Sequence, residues 1–295
     1  MLIRERLENN QFSNTEKVIV NYILNNINII NKLSMRDIAS ETYTSPSTLT
    51  RIAKKMNYNG WNDLKDALIK EDNYLKTHFC NIDANYPFNK EDSFYNIASK
   101  LAVLKTEAIN DTLSLITQDN LDKAINIINQ ATSIRLFGLS SNLNILKQFE
   151  YNLKKINKKI DTSMYQGDGL YNACQMDNKQ CAIIVSYSGE RAGLCQIAKV
   201  LKDNHIPIIV ITNISDNTLS SLATCVLTIT TREKLHSKIA SYTTDIAISY
   251  LLDVIYSCLF SLDYDNNLKQ KITISKKIDK YCLNTVTVSN ILSEE

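Results

Sequence analysis

Apolar and polar positions along this chain follow two rhythms, which change over at Ala131. In the first, apolar residues recur every three to four positions, the period of a helix with one buried face. Ser13-Asn14-Thr15-Glu16 has capping-box spacing and leads into Val18, Ile19, Tyr22 and Ile23 on one face. Ser34-Met35-Arg36-Asp37 repeats the signal ahead of Ile38 and Ala39. Ser45 at N-cap and Pro46 at N1 then predict a helix whose buried stripe is Leu49, Ile52, Ala53 and Met56. Its end falls in Asn57-Tyr58-Asn59-Gly60, with Gly60 expected at the left-handed C-terminal position. Trp61, Leu64, Ala67 and Leu68 predict one more helix, closing a small all-α core.

From Asn73 to Asp92 the pattern lapses into a polar, Asn-rich run with Pro87, which predicts an interdomain linker. A long helix follows, striped by Phe94, Ile97, Ala98, Leu101, Leu104 and Ala108, and another after Asp119 carries Leu121, Ala124, Ile125 and Ile128. Beyond Ala131, short apolar runs alternate with amphipathic segments, the mark of a doubly wound parallel sheet. Strands are expected at Ser133 to Phe137, Lys159 to Thr162, Cys181 to Ser186, Pro207 to Thr212 and Cys225 to Ile229. Helices are expected at Leu143 to Ile156, Gly169 to Gln175, Ala192 to Asn204, near Leu219, and from Ile239 to Phe260. The domains predicted are 1–75, all-α; 76–92, linker; and 93–295, a flavodoxin-like α/β domain on a five-stranded parallel sheet.

Length suits two domains, and bulk charge narrows the partners. Lys+Arg 33 against Asp+Glu 31 leaves +2, so any nucleic-acid surface must be a local patch. The cysteines, at 80, 174, 181, 195, 225, 258 and 282, number 7, an odd count, and no two form Cys-x-x-Cys. They read as reduced, buried thiols of a cytoplasmic protein, with no zinc site and no disulfide frame. No apolar run approaches the ~20 residues of a membrane span, and Met1-Leu2-Ile3-Arg4-Glu5 starts no signal peptide, so no membrane partner is expected.

Two stretches carry chemistry. The face of the Ser45 helix opposite its stripe bears Ser47, Thr50, Arg51, Lys54 and Lys55, three cations and no acid. A short turn at Thr42 to Thr44 joins it to the preceding helix, as in a helix-turn-helix. Small residues Ser45, Pro46, Ser47, Thr48 and Thr50 would then meet base edges of duplex DNA, while Arg51, Lys54 and Lys55 reach phosphates. The bland alternative is a helical bundle with a solvated charged face.

The second stretch is Cys181 to Glu190, an apolar run that ends in Ser186-Tyr187-Ser188-Gly189-Glu190 before Arg191 and a new helix. Helix N-terminal N–H groups and two hydroxyls suit an anion, and Arg191, a cation where the helix dipole disfavours one, fits best if an anion is bound there. Gly138-Leu139-Ser140-Ser141-Asn142 repeats the arrangement after an earlier strand. It lacks the second and third glycines of a dinucleotide fingerprint, so no cofactor is expected. In an open parallel sheet both loops would face one crevice beyond the strand ends and share one phosphate. Serines serving only as helix caps are the competing explanation.

On these motifs residues 133 to 260 resemble a SIS (sugar isomerase) domain, with Gly138 to Asn142 and Ser186-Tyr187-Ser188-Gly189 matching its two loops. The run Ser45 to Trp61 resembles the helix-turn-helix of RpiR-type transcription regulators. The resemblance implies a regulator that binds operator DNA as a homodimer or homotetramer and senses a phosphosugar, a hexose phosphate or an amino-sugar phosphate. Three positions depart from the family pattern. Ser140 stands where a second glycine is frequent, Glu190-Arg191 where Glu-Thr is usual, and Asp245 where an arginine is common. An isomerase would need a proton-moving base. Glu233 with His236 is the pair that could supply one, and either an isomerase or a module regulating a protein partner is the alternative to a DNA-binding regulator.

Overall fold

The computed structural model describes residues 3–27, 29–78, 82–163 and 168–282. The N-terminal domain comprises α1 (Ile3–Asn9), α2 (Asn14–Asn25), α3 (Met35–Glu41), α4 (Pro46–Lys55) and α5 (Trp61–His78). Both expected capping boxes form, Ser13 with Glu16 ahead of α2 and Ser34 with Asp37 ahead of α3. The expected stripe of α4 packs inward with Ile19, Ile23, Ile38, Trp61 and Leu64 in one core. Helix α1 was not foreseen. It has seven residues, and its first N–H groups, those of Ile3 and Arg4, donate to the Glu71 carboxylate of α5 at 2.6 and 3.2 Å. A partner distant in sequence supplies the cap that its own sequence lacks.

The left-handed residue that ends α4 is Asn57, φ 65°, and not Gly60. The chain turns immediately after the Met56 C-cap, where the Tyr58 N–H bonds back to the Ala53 carbonyl at 2.9 Å. Asparagine tolerates that conformation, so the glycine three residues later is not needed for it.

Helices α6 (Phe94–Leu115) and α7 (Gln118–Gln130) lead into β1 (Ile134–Phe137), α8 (Ser141–Lys154), β2 (Ile160–Thr162), α9 (Asp168–Cys174) and β3 (Cys181–Val185). Then come α10 (Ala192–Asp203), β4 (Ile208–Thr212), α11 (Thr218–Leu222), β5 (Cys225–Thr228), α12 (Tyr242–Ser261) and α13 (Tyr264–Cys282). All five strands are parallel, in the order β2-β1-β3-β4-β5. The strands β3 and β4 are buried at every position. One face of the sheet packs on α7, α8 and α12, and the other on α9 and α10. Burying both faces explains why these strands read as continuous apolar runs rather than alternating ones.

Helix α12 is long and apolar enough, by length and composition, to cross a membrane, yet here Ala247, Ile248, Leu251, Leu252 and Ile255 fill the core beneath the sheet. It begins at Tyr242, not Ile239, because the Ile239 N–H is committed to the Asn85 carbonyl at 2.9 Å. The buried Arg232 guanidinium, paired with Glu107 at 2.5 Å and with Asp111, ties the segment after β5 to α6. Cys181, Cys195 and Cys225 are buried free thiols, and burial pushes that of Cys181 up to about 12. Cys80 lies outside the described residues, as do the side chains of Cys282 and Lys280. Lys269, Lys271, Lys276 and Lys277 stand exposed on α13.

Candidate functional site

The strand order reverses between β1 and β3, both of which start from the middle of the sheet, and the loops leaving their C-terminal ends flank one hollow. This cavity, of about 300 Å³, is lined by Ser140, Ser141 and Asn142 from the first loop and Ser186, Tyr187, Ser188 and Arg191 from the second. Its size suits a small ligand.

Each loop shows why these residue types stand there. Gly189 sits at φ +67°, and a Cβ on it would meet the Asn217 side chain at 2.0 Å, so glycine is required on two counts. Around it the Ser186 hydroxyl accepts from the Gly189 N–H and the Ser188 hydroxyl from the Glu190 N–H, both at 3.3 Å. Neither serine caps α10, whose N-cap is Arg191. Ser140 adopts φ 53°, ψ −129°, a conformation that strains any residue but glycine, and its hydroxyl makes no cap bond.

Three residues expected at the site lie away from the cavity wall. A Cβ on Gly138 would meet Leu146 Cδ1 at 2.8 Å, which marks it as the packing point for α8. Gly189 shapes the turn without lining it. Glu190 turns its carboxylate to α11, accepting from Thr218 N at 2.9 Å and Thr218 Oγ1 at 2.7 Å. There it lines a second groove, of about 590 Å³, between the two domains, with Asp216 and Thr218 facing Arg6, Tyr58 and Asp63.

The rest of the cavity wall had no signal in spacing or periodicity. Leu235, Lys238 and Ser241 come from the segment between β5 and α12, and Thr244 and Asp245 from the first turn of α12. That segment is anchored by Glu233. Its fully buried carboxylate accepts from Thr243 N at 2.5 Å and Oγ1 at 2.9 Å, Thr244 N at 3.3 Å and Oγ1 at 2.8 Å, and Lys238 Nζ at 2.8 Å. The Tyr187 hydroxyl donates to the Glu233 carbonyl at 2.5 Å. A carboxylate held by five donors is a structural keystone with no lone pair directed at a substrate proton, and His236 is exposed. The same segment grips the connector. Asn85 Oδ1 accepts from the Lys234 N–H at 2.6 Å, beside the Ile239 bond already described.

In the N-terminal domain α3, the turn at 42–45 and α4 form the expected helix-turn-helix. Ser45, Pro46, Ser47, Arg51, Lys54 and Lys55 are exposed and Thr50 is half-buried. Thr48 is buried, its hydroxyl 3.1 Å from that of Ser45, so its side chain is not presented on the surface with the others. The face described from sequence as free of acid has one supplied by α2. Glu16 accepts from Arg51 Nε at 3.0 Å and Lys55 Nζ at 2.7 Å. Burial raises its pKa, but bonds from Lys55, Ser13 and Arg51 outweigh that and hold it at about 2. Tyr43, in the turn at φ 53°, is 98% exposed, and nothing in the apolar pattern singled it out.

Residues 1–74 match the model of the rpiR-family helix-turn-helix domain and residues 127–256 that of the SIS domain. A curated Clostridium perfringens protein, named an uncharacterized HTH-type transcriptional regulator, is 25% identical over 281 residues, covering 94% of this chain and 99% of its own. Among solved structures, Vibrio vulnificus NanR complexed with ManNAc-6P is 23% identical, with TM-score 0.62, covering 95% of this chain and 98% of NanR. The sugar isomerase domain of an RpiR transcription factor from Sphaerobacter thermophilus is 13% identical, with TM-score 0.53, covering 62% of this chain and 98% of that one. At these identities the two structures show a shared fold.

Proposed function

The chain belongs to the RpiR-type regulators, an rpiR-family helix-turn-helix joined to a SIS domain, and from that premise we propose that it binds operator DNA and releases or grips it according to phosphosugar occupancy. One observation carries the sensing half: two serine-bearing loops from β1 and β3 converge on a single small cavity at the point where strand order reverses. Ser140, Ser141, Asn142, Ser186, Ser188 and Arg191 offer hydroxyl, amide and guanidinium donors for a phosphate, with Tyr187 closing one side. NanR, of similar fold, was solved with ManNAc-6P, which supports a phosphosugar ligand here.

The DNA surface proposed is Ser45, Pro46, Ser47, Thr50, Arg51, Lys54 and Lys55, with Tyr43 added from the turn. The units proposed are 1–75 for reading DNA, 76–92 as connector and 93–295 for sensing. A homodimer or homotetramer in the cytoplasm, controlling sugar-metabolism genes, suits such a regulator. Exposed Val103 and Leu113 on α6 and Ile272 and Ile274 on α13 leave apolar surface for a second copy. A regulator rather than an isomerase is favoured because Glu233 spends its carboxylate on five donors and His236 makes no pair with it.

The direct test measures binding to duplexes from the DNA flanking its own gene, with and without hexose 6-phosphates and amino-sugar phosphates. Affinity that changes with one of them supports sensing. Identical affinity with all of them rejects it, and turnover of a sugar phosphate by the purified protein restores the isomerase alternative.

A further inference from the structure

Among the described residues, the cavity wall carries a carboxylate with no direct hydrogen-bond or ion-pair partner. Asp245 lines the cavity from the first turn of α12, and among the described residues no side-chain hydrogen bond or ion pair to its carboxylate is formed. One oxygen, Oδ1, is shielded from solvent and has no partner. The nearest cation on the wall is already engaged elsewhere. Lys238, the cation lining the same wall, is paired with Glu233 at 2.8 Å, and Glu233 is itself satisfied by four further donors. Counting Glu233 and Asp245 against Lys238, the α12 wall keeps one net negative charge, while the β3 loop brings Arg191 to the cavity. A half-buried carboxylate without a donor is costly to keep ionised. Burial accordingly pushes the Asp245 carboxyl above its usual range, and the nearby Glu233 charge adds to the shift, against Lys238 and Lys105.

A ligand that suits both walls carries opposite charges: a phosphate for the serines and Arg191, and a cation for Asp245. We propose that Asp245 is the specificity-determining residue of this cavity, selecting a phosphosugar that bears a free ammonium group, an unacetylated amino-sugar phosphate, over its neutral hydroxyl counterpart. The proposal rests on the phosphosugar reading above and narrows it to a zwitterionic ligand. The alternative role for Asp245, an acid in the first turn favoured by the helix dipole, needs neither a buried unpartnered oxygen nor a place in the cavity wall.

The test is calorimetric titration of the full chain with glucosamine 6-phosphate, N-acetylglucosamine 6-phosphate and glucose 6-phosphate. A new charge-assisted bond to a partly desolvated carboxylate gives an affinity at least about tenfold tighter for the amine than for the other two. In Asp245→Asn the preference falls to about one, while glucose 6-phosphate binds as to the wild type. Equal binding of all three to the wild type, tighter binding of the acetylated sugar, or a preference that survives Asp245→Asn overturns the proposal and leaves phosphosugar sensing standing. Absence of binding by every phosphosugar overturns both. A wild-type ratio near one overturns the proposal whether or not the variant folds, and a wild-type preference of about tenfold is assigned to Asp245 by its loss in Asp245→Asn.

Discussion

At the scale of single residues, three side chains carry testable consequences. Ser140 holds a conformation that costs a non-glycine residue on the order of 1–3 kcal/mol, so Ser140→Gly is expected to raise stability by about 1 kcal/mol after glycine's own entropic cost. A higher melting temperature with weakened phosphosugar binding is the expected pair of results, since the hydroxyl is lost as the strain is relieved. Ser188→Ala, which removes a cavity hydroxyl without touching a cap, is expected to weaken the effector response and leave DNA affinity unchanged. Glu16 provides a pH signature. Its folded pKa of about 2 lies below the ordinary glutamate value of 4.5, so the stability it contributes is complete above 4.5 and is lost as pH falls toward 2. Denaturant titrations between about pH 6 and pH 3 are expected to show a shallower stability loss for Glu16→Gln than for the wild type.

At the scale of elements, α4 owes its geometry to its own sequence and its electrostatics to α2. Its apolar stripe and N1 proline set the helix and its inward face, but Glu16 offsets part of the positive charge of Arg51 and Lys55. Arg51→Ala and Lys54→Ala are each expected to reduce affinity for duplex DNA and to lower the slope of log affinity against log salt by about one. Fluorescence anisotropy at several salt concentrations checks this, and an unchanged slope removes the residue from phosphate contact. The loop between β5 and α12 shows the same dependence on distant partners. No periodicity marks it, and its path follows from Glu233 gathering Thr243, Thr244 and Lys238 around one carboxylate. That is why Lys238, Thr244 and Asp245 were absent from the expected site while Ser186 and Ser188, placed by the end of a strand, were not.

At the scale of the whole molecule, the cavity and the connector share one segment. Asn85, between the domains, holds Lys234 and Ile239, while Leu235 and Lys238 between them line the cavity. A ligand that moves this segment therefore acts on the connector directly, and Glu190 on the neighbouring loop faces the groove against the helix-turn-helix domain. Coupling of this kind needs two arrangements that ligand and DNA bias differently. Asn85→Ala is expected to leave both phosphosugar affinity and DNA affinity near the wild type while abolishing the effect of one on the other. Gel shifts with and without ligand measure it, and a response of wild-type size excludes this route.

What the sequence determined by itself was whatever depends on neighbours a few residues away. Helix starts at Ser13, Ser34 and Ser45, the five strands to within a residue or so at each end, and the two serine loops all follow from caps, periodicity and chain reversal. The misplaced left-handed residue, Asn57 instead of Gly60, is a choice between two residue types that both tolerate it, and the actual length of α4 made that choice. Only the tertiary structure decided which charges meet. Glu16 reaches Arg51 from 35 positions away, Glu71 caps α1 from 68, and Asp245 stands in a cavity built by loops about β1 and β3. Such pairings depend on how packed elements align in space, to which short-range spacing is blind.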